Sequence, residues 1–181
     1  MALHGILRSG AVVVTTAYDH NAVLRPVHLL KELRGVENRM VFGDASGSVD
    51  MEEVRNKLDG ARLLVVNAVS NVLGTRLPLA EMAREAHAND ALVLVDAAQW
   101  GGHFSESLAE AGADLVAFTG HKGLLGPQGI GGLWIREGLD LSPFLAGGTG
   151  GHSEERGMPS ALPDRLEAGS GNAPGMAGLA A

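Results

Sequence analysis

The chain contains no cysteine. That absence excludes disulfides, thiolate metal sites and a thiol nucleophile within its 181 residues. Basic runs are missing too, and the formal net charge is −7, which argues against a general binder of phosphate backbones and hence of nucleic acid. No apolar run reaches the roughly 20 residues that a membrane-spanning helix needs, so no membrane partner is expected. The N-terminus shows no positive segment leading into an apolar one. The compartment is therefore read as the cytoplasm, by default. The seven histidines lack H-E-x-x-H or any comparable ligand spacing, so no metal site is expected.

What is present is an alternation of short apolar runs with helical patterns. Strands are expected at "AVVVTTA" (11–17), "RMVFG" (39–43), "RLLVVNAV" (62–69), "ALVLVDAA" (91–98), "DLVAFTG" (114–120) and "GGLWIRE" (131–137). Helices are expected over 21–35, 49–60 and 78–90, with a short one over 104–112 capped by Ser105. The first shows helical spacing through Val23, Leu24, Val27, Leu30 and Leu33, and Gly35 stops it. Runs that are apolar throughout, rather than alternating, predict a sheet covered on both faces. Strand–helix alternation predicts an α/β fold with a mostly parallel sheet flanked by helices. Residues 1–145 read as a ligand-binding domain, and 146–181 as a Gly/Pro-rich loop leading into a helix of the same domain. Asn172 and Pro174 suit the start of that helix.

In such sheets ligands gather where the strands end. The polar residues there are Asp19, His20, Ser70, Asn71, Asp96, Gln99, Thr119, His121 and Lys122. A lysine amine acts as a nucleophile only when it has lost its proton, and desolvation favours that form. Such a lysine suits Schiff-base chemistry with an aldehyde. An acid at the end of "VLVD" could keep a pyridinium nitrogen protonated. Bland readings stand beside these. Asp96 and His20 both suit helix caps, Asn71 and Gln99 suit loop hydrogen bonds, and an isolated lysine is usually a surface residue. "GPQGIGG" could be turns alone. It matches neither a phosphate-loop motif nor a dinucleotide fingerprint, because no GK[ST] occurs and it precedes a strand.

Taken together, "TTAYDHNAVLRP" (15–26), "VSNVLGT" (69–75), "VLVDAAQWGGH" (93–103), "LVAFTGHKGLLGPQGIGGLWIR" (115–136) and "LPDRLEAGSGNAPGMAGL" (162–179) resemble the class V aminotransferase family of pyridoxal-phosphate enzymes. The resemblance is strongest to its cysteine desulfurase and selenocysteine lyase branch. It implies the large domain of a fold-type I enzyme, here its central part, with pyridoxal 5′-phosphate as cofactor. Lys122 would form the Schiff base, and Asp96 would pair with the pyridine nitrogen. Gln99 would contact the phenolic oxygen, and His20 would stack on the ring and help move protons. Thr119 and His121 would bind the phosphate, with space and backbone amides supplied by the surrounding glycines. Asn71 would lie near the substrate carboxylate. Ser170 would reach the phosphate of the other subunit of a homodimer, where the family usually has threonine. Ala68 stands where a histidine is common. The implied reaction releases sulfur or selenium from cysteine or selenocysteine and gives alanine, with a sulfur-acceptor protein as a possible partner. The alternatives are a non-catalytic truncated paralogue, or a class V aminotransferase or epimerase acting on another small amino acid. The family's phosphate-binding turn, carboxylate-binding arginine and sulfur-accepting cysteine are expected to lie outside this sequence.

Overall fold

A computed structural model describes residues 1–151 and 154–181. Its centre is a six-stranded sheet built from β1 (Val12–Thr16), β2 (Glu37–Val41), β3 (Leu63–Asn67), β4 (Leu92–Asp96), β5 (Leu115–Thr119) and β6 (Gly131–Ile135). The spatial order is β2-β1-β3-β4-β5-β6. All neighbours run parallel except β6, which pairs antiparallel with β5. Every residue of β3 is buried, as expected for a central strand. Leu63 and Val65 face one apolar cluster, whereas Leu64 and Val66 face the other. This two-sided burial explains why the strand sequences carry no polar alternation.

Five helices accompany the sheet: α1 (Ala2–Ile6), α2 (Asn21–Arg34), α3 (Met51–Leu58), α4 (Leu79–Ala88) and α5 (Ala173–Ala180). Residues of α3 and α4 fill one face through Val54, Leu58, Met82 and Ala86. Those of α1 and α2 fill the other through Leu3, Ile6, Val27 and Leu30, joined by Leu141 and Leu166 from the later loops. Gly35 ends α2 with φ +64°, a left-handed conformation that glycine adopts at little cost. Asp50 caps α3 by accepting from the Glu52 amide at 2.9 Å. Asn172 caps α5 by accepting from Gly175 at 3.0 Å, with Pro174 in the first turn.

Three sequence expectations change. Residues 104–112 form turns rather than a helix. Ser107, not Ser105, bonds the local backbone there, accepting from Glu110 at 3.2 Å. One bond of α-helical spacing forms, from the Ala111 amide to the Ser107 carbonyl, and Gly112 at φ +98° turns the chain away, so a helix nucleus gains too little to propagate. Leu33 was expected on the apolar face of α2, yet it is 69% exposed. Val23, Val27 and Leu30 are the buried residues of α2, and Leu24 is only half-buried. Finally, α1 was not anticipated; five residues are too few to show a helical period.

Candidate active site

The strand order reverses direction at β1. From there the chain moves to β2 on one side and then to β3 on the other. Such switch points leave a crevice beyond the strand ends. Here that crevice is a cavity of about 670 Å³. His20, Asn71, Asp96, Gln99, Thr119, His121 and Lys122 all line it. Seven residues spread over a hundred positions of sequence therefore share one surface.

Each is held by the element it follows. His20 is the N-cap of α2, and its Nδ1 accepts from the Ala22 amide at 3.1 Å. A neutral imidazole that accepts at Nδ1 carries its proton on Nε2. The same side chain thus caps α2 and lines the cavity. Asp96 closes β4, and its Oδ1 accepts from the Ala98 amide at 2.9 Å. That bond fixes the carboxylate without starting a helix, since turns follow. Ser70 proves structural: it is buried, and its hydroxyl accepts from the Val72 and Leu73 amides. It shapes the loop that presents Asn71. Thr119 Oγ1 and His121 Nδ1 lie 2.9 Å apart just past β5. Lys122 is half-buried, and its amine has no hydrogen bond or ion pair among the described residues. Ser170 is exposed and does not line the cavity.

The cavity also has walls that no sequence signal marked. His4 and Phe144 line it, with ring centroids 4.3 Å apart. They are far apart in sequence and belong to no motif. Burial, and then the adjacent positive charges of the N-terminal amine and Arg34, lower the His4 pKa. Asn67, the last residue of β3, also lines the cavity; its position at a strand end was the available signal.

A family model described as Aminotransferase class-V matches residues 1–181. The chain belongs to that family. It is 36% identical over 185 residues to a probable cysteine desulfurase of Pyrococcus abyssi, covering 100% of this chain and 46% of that protein. It is 39% identical over 179 residues to a probable cysteine desulfurase of Methanothermobacter thermautotrophicus, covering 96% of this chain and 44% of the relative. The apo structure of a cysteine desulfurase from Thermococcus onnurineus superposes with a TM-score of 0.85 at 36% identity, over 99% of this chain and 46% of that one. The cysteine desulfurase CsdA from Escherichia coli, in its S-sulfonic acid form, gives 0.84 at 28% identity, over 98% and 46%. The chain thus spans less than half the length of these relatives.

In this class-V chain no glycine near Lys122 is among the described residues lining the cavity. These glycines let protein pack against protein. A Cβ on Gly102 would sit 2.0 Å from the Gly123 carbonyl oxygen, and one on Gly123 would sit 2.3 Å from that of Gly101. The loops after β4 and β5 therefore touch backbone to backbone. That contact sets Gln99 and Lys122 relative to each other. Gly126 makes room for Leu179 of α5, where a Cβ would approach to 2.6 Å. The groups lining the cavity, an amine, a carboxylate fixed by the Ala98 amide and a hydroxyl–imidazole pair, suit an aldehyde that carries a phosphate and a basic ring.

Proposed function

We propose that this chain supplies the cofactor-holding part of a pyridoxal-phosphate enzyme of cysteine-desulfurase type, acting on a small amino acid. The observation that carries the reading is the convergence of Lys122, Asp96, His20, Gln99, Thr119 and His121 on one cavity of the size that holds small ligands. Bound there, the cofactor supplies an electron sink for charge developing next to a substrate amine.

The chain's own residues have separable tasks. Lys122 offers an amine with no competing partner, so it is free for covalent attachment of the aldehyde. Among the described residues Asp96 is the only acid lining the cavity, and its anchored carboxylate would hold a proton on the ring nitrogen. Gln99 would donate to the phenolic oxygen. His20 presents an Nε2–H because its Nδ1 is engaged by the helix cap, so it enters the cavity as a donor and a flat stacking surface. Thr119 and His121, already paired, would turn their remaining hydrogen-bonding capacity to the phosphate. Asn71 would meet the substrate carboxylate. Family kinship supports a homodimer, with Ser170 serving the other subunit. A sulfur-acceptor protein remains part of this proposal.

A second reading rests on composition. No thiol exists among these 181 residues, so sulfur cannot be taken up on a cysteine of this chain, which favours a non-catalytic truncated paralogue over an active desulfurase. A class V aminotransferase or epimerase is the remaining alternative. The test adds pyridoxal phosphate to the purified chain and follows a visible band that borohydride fixes onto Lys122. Absence of the band, or its persistence in Lys122→Ala, overturns cofactor binding. A band without alanine release from cysteine favours the non-catalytic reading.

A further inference from the structure

Asp19 directly follows β1 and its turn and directly precedes His20. It is an acid only 6% exposed. Its Oδ2 accepts from the Thr16 amide at 2.6 Å. The Asp19 amide donates back to the Thr16 carbonyl at 3.1 Å, so the two residues clasp the turn that ends β1. The Asn67 side chain, from β3, donates to the Tyr18 carbonyl at 3.1 Å and ties this turn to the central strand. Immediately after the clasp, His20 caps α2 and enters the cavity.

The other carboxyl oxygen, Oδ1, is buried with no hydrogen-bond partner. A charged carboxylate in that setting is costly, and a protonated one much less so. The surroundings point the same way. Asp96 on β4 is the charged group acting on Asp19, and it has the same sign. Thr16 on β1 and Asn67 on β3 contribute uncharged donors, and no cation is among the groups that set its charge. On its own segment the titratable neighbours are Tyr18 and His20.

We propose that Asp19 is a positioning residue: buried at the end of β1, it clasps the turn that aims His20 into the cavity, and when protonated it leaves Asp96 as the negative charge among the described residues there. The proposal rests on the reading of His20 and Asp96 as cofactor contacts. It extends that reading to a residue that touches no ligand. The Asp96 charge acts on Asp19 with the same sign, so a proton on Asp19 favours keeping the charge on the carboxylate that lines the cavity.

The experiment uses the full chain without ligand. Carboxyl ¹³C NMR follows Asp19 through pH in the parent and in Asp96→Asn. The expected midpoint lies near neutrality in the parent and lower in Asp96→Asn. A midpoint in the ordinary aspartate range, about 4, overturns the uncharged state. The His20 ring and the Ala22 amide are then compared across variants. Asp19→Asn, which keeps the acceptor and the volume, is expected to leave both signals in place, while Asp19→Ala displaces them. Unmoved signals in Asp19→Ala, or equal displacement in Asp19→Asn, overturn the positioning role. If Asp19→Ala does not fold, the titration and the Asn variant still decide. With pyridoxal phosphate added, Asp19→Asn should bind within about twofold of the parent, and Asp19→Ala about fivefold or more weaker, the worth of one ordinary hydrogen bond. A parent chain that takes up no cofactor would remove the proposed function, yet the ligand-free measurements would still judge Asp19.

Discussion

Two carboxylates on one sheet edge, Asp19 and Asp96, meet different environments and so acquire different tasks. Burial first, and then the Asp96 charge, push the Asp19 carboxyl up to about 7, against hydrogen bonds from Thr16 and Asn67 that favour its charged form. The folded state therefore holds a proton on Asp19 between about pH 4 and 7, where the unfolded chain has released it. Its contribution to stability is full below the unfolded value and is lost as pH rises through the folded one. The whole effect is on the order of 4 kcal/mol. Denaturant unfolding of the parent should show this loss from pH 4 to 8, and Asp19→Asn should flatten it and exceed the parent at pH 8. Asp96 invites a different measurement. Asp96→Asn keeps an acceptor for the Ala98 amide but removes the charge, so pyridoxal phosphate should bind about tenfold or more weakly with the fold intact. Equal affinity would show that the ring nitrogen does not meet this residue. The position of both acids at strand ends was readable from sequence. The burial that separates them was not, because it depends on Asn67 and the packing above β3.

Opposite the cavity, at the start of β5, Asp114 ties three elements together. It is buried, accepts from the Val93 amide of β4 at 2.8 Å, and pairs with His87 of α4 at 3.0 Å and Arg136 after β6 at 2.7 Å. Removing this carboxylate strands a buried amide and leaves Arg136 and the His87 ring without their partner. Asp114→Ala should therefore cost about 1–3 kcal/mol in denaturant unfolding, chiefly for the stranded Val93 amide, without a direct effect on cofactor contacts. The contact between the β4 and β5 loops allows a sharper test. Gly102 has φ +81° and no room for a Cβ, so Gly102→Ala should cost about 1–3 kcal/mol from backbone strain alone, and the clash with Gly123 should also loosen Lys122. Borohydride labelling of Lys122 should then fall more than folded content does. The parallel strands were legible because β3 and β4 are apolar on both faces. The antiparallel β6 was not distinguished, since its direction follows from the absence of a helical crossover after β5. The same limit hid the fate of 104–112, whose residues suit a helix while Gly112 and the seating of Leu108 in the core decide otherwise.

The assembled molecule leaves one expected participant outside its own cavity. Ser170 lies in the exposed approach to α5, while Thr119 and His121 lie at the end of β5. If its hydroxyl serves a phosphate, that phosphate belongs to another copy of the chain. Exposed apolar side chains near the loops of the site support association. Val72 is 81% exposed beside Asn71, and Leu125 is 91% exposed three residues after Lys122. Isolated apolar residues on a surface are ordinary, but two of them on loops that carry site residues mark a surface worth covering. The dimer reading therefore yields a concentration-dependent prediction. Sedimentation would first define the concentrations at which the chain is monomeric and dimeric. Pyridoxal phosphate binding to the parent and to Ser170→Ala would then be measured in both regimes. A hydroxyl donating to a phosphate is worth about 1.5 kcal/mol or somewhat more, so Ser170→Ala should weaken binding about tenfold in the dimer and leave the monomer unchanged. Leu125→Glu should move the association to higher concentration and carry the Ser170 effect with it. Equal affinities for parent and Ser170→Ala in the dimeric regime would confine the phosphate contacts to one chain and remove Ser170 from the site.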